Sequence, residues 1–140
     1  MTYKRFEDVP VWQDSILLGR RIYIFTDLPV FKRQYSLRDQ IERATVSVSN
    51  NIAEGFERGT TPDLLSFLYY ARGSAGEVRS MLCLIEGIPG FAALNTEIAA
   101  LKSLAESCSR QLRAWADALQ NSEIKGQRHL NDSVRRRKEI

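Results

Sequence analysis

The 140-residue sequence predicts an all-α protein folded as an up-down-up-down antiparallel four-helix bundle. Apolar residues recur every three or four positions in four separate segments, which is the period of an amphipathic helix. Short stretches containing proline or glycine separate these segments, so successive helices must run in opposite directions. No segment alternates apolar and polar residues in the way that predicts a half-buried strand.

The first helix is predicted from about Asp8 to Asp27. Asp8 is the predicted N-cap, and Pro10 falls in the first turn, where a missing N–H is tolerated. The pair Leu28-Pro29 ends the helix, because a residue that precedes proline disfavours the helical conformation. The predicted inner face consists of Val11, Ser15, Leu18, Ile22 and Phe25.

The second helix is predicted to begin at Ser36, where "SLRD" places an acid three residues after a serine, as in a capping box. Its apolar spacing continues through Gly55, which places this glycine inside the helix at a cost of about 1 kcal/mol relative to alanine. We therefore expect a neighbouring element to approach closely at Gly55. The predicted apolar face consists of Leu37, Ile41, Ala44, Val48, Ile52 and Phe56.

The stretch "ERGTTPD" predicts a corner between two helices. Gly59 suits the left-handed position that closes a helix. Thr61 is the predicted N-cap of the third helix, with Pro62 at its first position. A phosphate-binding loop is disfavoured, because it needs four residues between its glycines and then a lysine, after a strand. Here three residues separate Gly55 from Gly59, and no lysine follows.

The third and fourth helices carry apolar faces whose steps alternate between three and four, which predicts coiled-coil-like packing of nearly antiparallel helices. "GIPGF" separates the two helices, and the fourth runs from about Asn95 or Thr96 to Leu119. The third helix has the face Leu64, Leu68, Ala71, Ala75, Val78, Leu82 and Ile85. The fourth has Ile98, Leu101, Ala105, Cys108, Leu112, Trp115 and Leu119.

A second apolar register on the third helix exceeds what one core requires. It consists of Phe67, Tyr70, Ser74, Glu77, Met81 and Leu84. One interpretation is a wide core stripe, which suffices for a similar register on the first helix. For the third helix we favour a homo-oligomer interface, in which otherwise water-facing side chains are covered. The predicted interface residues are Phe67, Tyr70, Gly73, Ser74, Glu77 and Met81.

Charge is distributed unevenly along the chain. Residues 1–121 hold 14 basic and 14 acidic residues and are neutral, so the whole excess of +3 lies in residues 122–140. We expect residues 1–121 to form the bundle and 122–140 a basic, disordered tail. The N-terminus has no apolar segment typical of a signal peptide, and no apolar run approaches the roughly 20 residues of a membrane span. These observations predict a cytoplasmic protein without membrane association.

Residue content argues against the common catalytic and metal sites. The single histidine, His129, lies outside the predicted helices, so di-metal, serine hydrolase and Cys–His arrangements lack their histidine. Cys83 and Cys108 have no metal-ligand spacing and are expected to be core side chains. We predict no cofactor, no metal and no small-molecule substrate.

One polar set remains on a single face of the second helix. Asn51, Glu54 and Arg58 recur at helical spacing, and Glu54 and Arg58 are four residues apart, as in an ordinary ion pair. We interpret the set, together with Glu77 on the third helix, as a polar network between helices or subunits. A ligand-binding site is the alternative.

Two segments resemble the family of 23S rRNA-intervening-sequence proteins. They are "QIERATVSVSNNIAEGFERGT" and "FLYYARGSAGEVRSML", and the resemblance covers about residues 6–119. The matching positions are Gln40, Ile41, Arg43, Ala44, Asn51, Ile52, Ala53, Glu54, Gly55, Arg58, Phe67, Leu68, Ala71, Gly73, Ser74 and Glu77. Glu42 departs from the pattern, because the family usually has an arginine there, and this weakens a nucleic-acid interpretation.

The family is similar in fold to the accessory protein of diversity-generating retroelements, a pentameric barrel linked to nucleic acid. The resemblance therefore implies a cytosolic homo-oligomer, with a pentamer as first choice. It does not imply a biochemical activity, because none is established for the family.

Three functional hypotheses follow. The leading one is a non-enzymatic oligomeric module that binds RNA, DNA or a nucleoprotein partner. The alternative, favoured by the neutral body, is a protein–protein scaffold with no nucleic-acid role. The third is an enzyme with a pocket at a subunit interface. Candidate nucleic-acid contacts are Arg20, Arg21, Lys32, Arg33, Arg38, Arg135, Arg136, Arg137 and Lys138.

Overall fold

The computed structural model describes residues 3–121, which form four long helices and contain no strand. The helices are α1 (Pro10–Thr26), α2 (Tyr35–Glu57), α3 (Thr61–Glu86) and α4 (Asn95–Gln120). Short 3-10 turns lie at Phe6–Asp8, Pro29–Phe31 and Pro89–Leu94. The predicted all-α class is confirmed. The predictions for residues 122–140, including Arg135, Arg136, Arg137 and Lys138, fall outside the described residues.

The four helices close into a square. Each helix packs along its neighbours in the chain, and α4 returns to pack against α1. This arrangement is the predicted up-down-up-down bundle. Helices α1 and α3 therefore occupy opposite corners and run in the same direction.

The core is formed by the predicted faces of the helices. All seven seam residues of α3 are buried, as are the five predicted inner residues of α1. On α4 the last two predicted positions differ: Trp115 and Leu119 are only partly buried and pack at the edge of the core, whereas Ala116 is 2% exposed. A four-residue step after Leu112 brings the small side chain of Ala116 inward.

Both connections at one end of the bundle are joined by aromatic rings. Phe31, in the α1–α2 connection, makes edge-to-face contacts with Phe25 of α1 at 5.1 Å and with Phe91 of the α3–α4 connection at 4.9 Å. All three side chains are at most 1% exposed. This cluster fixes the two connections against each other.

The first two predicted helix starts are wrong. Asp8 lies in a 3-10 turn, where its N–H donates to the carbonyl of Arg5, and the N-cap of α1 is Val9 without a side-chain hydrogen bond. Ser36 is already inside α2, whose N-cap is Gln34. The preceding turn runs directly into this helix, because the N–H of Gln34 donates to the carbonyl of Phe31.

The corner between α2 and α3 is confirmed, with its cap shifted by one residue. Gly59 has φ +84°, the left-handed conformation predicted for it. The N-cap of α3 is Thr60 and not Thr61, because the Thr60 hydroxyl accepts a hydrogen bond from the N–H of Asp63 at 3.3 Å. Pro62 falls at the second helical position.

The close approach expected at Gly55 is also confirmed. A Cβ added to Gly55 would lie 2.6 Å from the Cβ of Phe67 on α3. Only glycine permits this spacing between α2 and α3 without a shift of the backbone.

Within residues 3–121, no single helix is long and apolar enough to cross a membrane. The segments Thr61–Glu86 and Pro89–Gln120 pass that test only as a pair bent by 114°.

Candidate functional site

The second apolar register of α3 divides into two rows. Phe67 and Ser74 are half-buried and Met81 is buried, whereas Tyr70 and Leu84 are exposed to 60% and 59%. The prediction that Met81 would face water within one subunit is wrong. An unbranched side chain on the flank of a helix can turn towards the core, and Met81 belongs to the core cluster.

The exposed row belongs to a longer pattern that we call the outer stripe of α3. Every member is exposed, and the steps alternate between three and four: Tyr70, Gly73, Glu77, Ser80 and Leu84. No heavy atom lies within 4 Å of the position that a Cβ on Gly73 would occupy. Within residues 3–121, Glu77 takes part in no ion pair. The stripe is therefore a bare surface with apolar ends, small residues between them and one carboxylate.

The half-buried row meets a polar group on α2. The hydroxyl of Ser74 donates to the hydroxyl of Ser47 at 2.9 Å, and the amide of Asn51 donates to the same oxygen at 2.8 Å. The Asn51 amide also donates to the Ser47 carbonyl at 2.8 Å. Sequence reasoning missed Ser47, although it lies four residues before Asn51 on the same helical face. This small network holds α2 against α3.

The predicted set of Asn51, Glu54 and Arg58 is therefore two separate groups. The guanidinium of Arg58 donates to Glu54 at 2.8 Å, and this hydrogen bond raises the pKa of Arg58. The same guanidinium lies over the ring of Phe67, 5.1 Å from its centroid. Phe67 in turn contacts Tyr70 edge-to-face at 5.6 Å. Arg58 and Phe67 thus form a border along the Tyr70 end of the outer stripe.

Helix α1 also exposes apolar side chains. Leu17 is 46% and Ile24 70% exposed on its outer side. Tyr23, at 47% exposure, borders a groove of about 410 Å³ between α1 and α2 that Val46 also lines. Of the second register of the first helix, Trp12, Ile16 and Gly19 are half-buried, as a wide core stripe predicts, and Tyr23 is exposed.

The predicted nucleic-acid contacts do not form one patch of unpaired charge. Arg21 is paired with Glu97 at 2.9 Å. Arg38 is paired with Glu42 at 3.0 Å. Glu42 also accepts a hydrogen bond from Thr26 at 2.6 Å, so the residue that departs from the family pattern joins α1 to α2. The charge of Arg38 is neutralised locally by the same residue.

Three of the predicted basic contacts, Arg20, Lys32 and Arg33, are exposed and have no ion pair within residues 3–121. Lys32 and Arg33 lie in the α1–α2 connection, close in sequence to Tyr35, which is 77% exposed at the start of α2. Arg20 lies on the outer side of α1, between Leu17 and Ile24. The unpaired cations are thus divided between the end of the bundle and its side.

The two cysteines have different surroundings. Cys108 is buried, and the loss of solvent, with a smaller contribution from Asp14, raises the pKa of its thiol to about 12. Cys83 is exposed, contrary to the expectation of a core side chain. Among residues 3–121, no group of three or more His, Cys, Asp or Glu residues is arranged to hold a metal ion.

Comparison with known protein families identifies a match. The model of the 23S rRNA-intervening sequence protein family matches residues 7–114. A search of curated proteins found no match. The chain belongs to the 23S rRNA-intervening sequence protein family, whose members are helical proteins of unknown function.

Proposed function

We propose that this family member is a non-enzymatic, cytoplasmic module that acts as a homo-oligomer. The observation that carries the proposal is the outer stripe of α3, where Tyr70 and Leu84 leave more than half of their surface in water. Burying a large apolar side chain contributes roughly 1.5–3 kcal/mol, so a few of them can sustain association after its entropic cost. The family resemblance makes a pentamer the first expected number of subunits.

Light scattering on the full chain tests the assembly. We expect a mass that is a multiple of the 16.0 kDa subunit at micromolar concentration. Tyr70→Glu should shift the mass towards the monomer while the helical circular dichroism signal is retained, because a carboxylate would have to be buried in the interface. Tyr69→Glu is the matched control, since Tyr69 is 43% exposed one position along the same helix. A monomeric wild type would refute the proposal.

We further propose that the assembly binds RNA, DNA or a nucleoprotein partner through the α1–α2 connection. The supporting observation is that the unpaired cations Lys32 and Arg33 are exposed and lie within three residues of Tyr35, which is 77% exposed. Cations contact phosphates, and aromatic rings stack on unpaired bases. Several copies in one assembly would multiply a weak contact by avidity.

Fluorescence anisotropy with labelled RNA and DNA across a salt series tests the second proposal. We expect affinity to fall steeply with salt and to weaken in a Lys32→Glu/Arg33→Glu variant. Arg72→Glu/Arg79→Glu on α3 is the control with the same change in charge. Loss of binding only on deletion of residues 122–140 would assign the contact to the tail. If neither nucleic acid binds the full chain at low salt, the protein–protein scaffold is the function that remains.

A further inference from the structure

We propose that the outer stripe of α3 packs against the outer side of α1 in a second copy of the chain, with Glu77 of one copy paired to Arg20 of the next. This inference rests on the proposed homo-oligomer and names the two surfaces that form its interface.

The outer side of α1 carries a pattern that matches the outer stripe of α3. We call it the outer stripe of α1, and its exposed members follow steps of four, three and four: Gln13, Leu17, Arg20 and Ile24. Leu17 and Ile24 are the apolar members, and Arg20 is the charge between them. Helices α1 and α3 thus each present a heptad-spaced row to solvent, which is the pattern of helices that pack side by side.

The two stripes are complementary in shape. Small residues flank Glu77 on α3, with Gly73 four positions before it and Ser80 three positions after it. Large residues flank Arg20 on α1, with Leu17 three positions before it and Ile24 four positions after it. In a parallel alignment with Glu77 opposite Arg20, each large residue falls within one residue, about 1.5 Å, of a small one. The bare surface at Gly73 leaves room for such a side chain.

The two stripes are also complementary in charge. Eight of the basic residues in the described chain are held in ion pairs: Arg5, Arg21, Arg38, Arg43, Arg58, Lys102, Arg110 and Arg113. Arg20 and Glu77 belong to no ion pair within residues 3–121. Covering either charge with apolar neighbours would be costly, and joining the two stripes supplies each with an opposite charge. Packing two α3 stripes on each other would instead bring two Glu77 carboxylates together.

The positions of the helices suit this contact. Because α1 and α3 stand at opposite corners of the square, their outer stripes face away from each other. One copy therefore offers a different surface on each side, which makes the contact head-to-tail. Such a contact closes into a ring or continues as an open chain. Because α1 and α3 run in the same direction, subunits with parallel bundle axes bring the two stripes together in the parallel alignment described above.

Charge reversal in the full-length chain tests the pairing by light scattering. A monomeric wild type would refute the homo-oligomer and this inference together. Given an associated wild type, we expect Glu77→Arg and Arg20→Glu each to weaken association at least about tenfold. The double variant E77R/R20E should recover it to within a few-fold of the wild type. Circular dichroism should show the same helical content in all four proteins.

A second pair separates the proposed contact from a general effect of charge. E77R/R79E has the same net charge as E77R/R20E, but Arg79 lies on a different side of α3, so this variant should remain dissociated. An equimolar mixture of E77R and R20E should associate more strongly than either variant alone, because each junction between the two variants pairs opposite charges. A closed ring of five contains at most four such junctions, so open chains and even-numbered rings are expected in the mixture. If the wild type associates and the single variants keep its mass, or if the double variant stays dissociated, the pairing is wrong while the homo-oligomer stands.

Discussion

Two glycines inside helices stand in opposite surroundings. Gly55 of α2 is buried under α3, where an added Cβ would come within 2.6 Å of the Cβ of Phe67. Gly73 lies on the outer stripe of α3, where an added Cβ would have no neighbour within 4 Å. A glycine inside a helix costs roughly 1 kcal/mol relative to alanine at either position. At Gly55 the close packing of α2 and α3 within one subunit explains why a glycine is present despite this cost. At Gly73 no packing within one subunit explains the glycine.

The difference shows where the fold of one subunit determines the sequence and where it does not. On the inner side of α3 the choice of residue follows from packing within the chain. On the outer stripe, a glycine, an unpaired carboxylate and two exposed apolar side chains bring no advantage to an isolated subunit. These are the residues that an interface between copies would use.

The largest expected contrast lies between the two sides of α3. Leu68→Ala should lower the free energy of unfolding by roughly 2–5 kcal/mol, because Leu68 is 1% exposed and truncation leaves a cavity. Leu84→Ala should change it by no more than about 0.5 kcal/mol, because Leu84 is 59% exposed. Urea denaturation in a Tyr70→Glu background measures both without a contribution from association. Equal losses would show that the outer stripe is part of the core.

The next contrast is between the glycines. Gly55→Ala should destabilise the subunit by about 1–3 kcal/mol, because the Cβ of Phe67 moves only if the backbone of α3 moves. The same denaturation experiment measures it. An unchanged or higher midpoint for Gly55→Ala would mean that α2 and α3 can separate at this point with little cost.

Gly73→Ala should have the opposite effect on the free energy of unfolding. In the Tyr70→Glu background we expect a gain of up to about 1 kcal/mol, because alanine favours the helix and meets no neighbour. In the otherwise wild-type chain, the proposed interface predicts weaker association for the same substitution. A loss of stability in the isolated subunit would contradict the open surroundings of Gly73.

A smaller effect on the stability of the subunit is expected at high pH. The pKa of Cys108 is raised from 9.0 to about 12 by burial, so its stabilisation of the folded state is complete below pH 9 and declines as the pH rises towards 12. Cys108→Ala should lose this part of the pH dependence, and Cys83→Ser should retain it. Denaturation midpoints between pH 8 and pH 11 measure the difference. Identical slopes for the two variants would argue against a buried thiol at Cys108.

The sequence predicted the helices and their inner faces because the three-to-four spacing of apolar residues reports directly on which side is buried. It did not locate the first two helix starts or the cap of α3, because a shift of one or two residues at Asp8, Ser36 or Thr61 leaves that spacing unchanged. The second register of α3 was recognised as a row of residues. Whether a member of this row is buried, as Met81 is, depends on how far its side chain reaches towards α2. The spacing of residues along the helix does not predict that reach.

Helical spacing also predicted part of the candidate site. Helical spacing placed Asn51, Glu54 and Arg58 on one face, but the direction of each side chain decided the partners. Asn51 turns back to Ser47, whereas Arg58 reaches the ring of Phe67. Which cations remain unpaired depends on contacts across the bundle, such as Arg21 with Glu97.

The packing of α4 against α1 has a consequence for the order of the helices along the chain. Tyr3, Val9 and Pro10 line a groove together with Ala114 and Trp115 near the end of α4. The beginning of the bundle and its end are therefore neighbours in space. A short linker between them, with a new opening at the Gly59 corner, would give a circularly permuted chain that starts with α3 and ends with α2. Each helix would keep its packing partners.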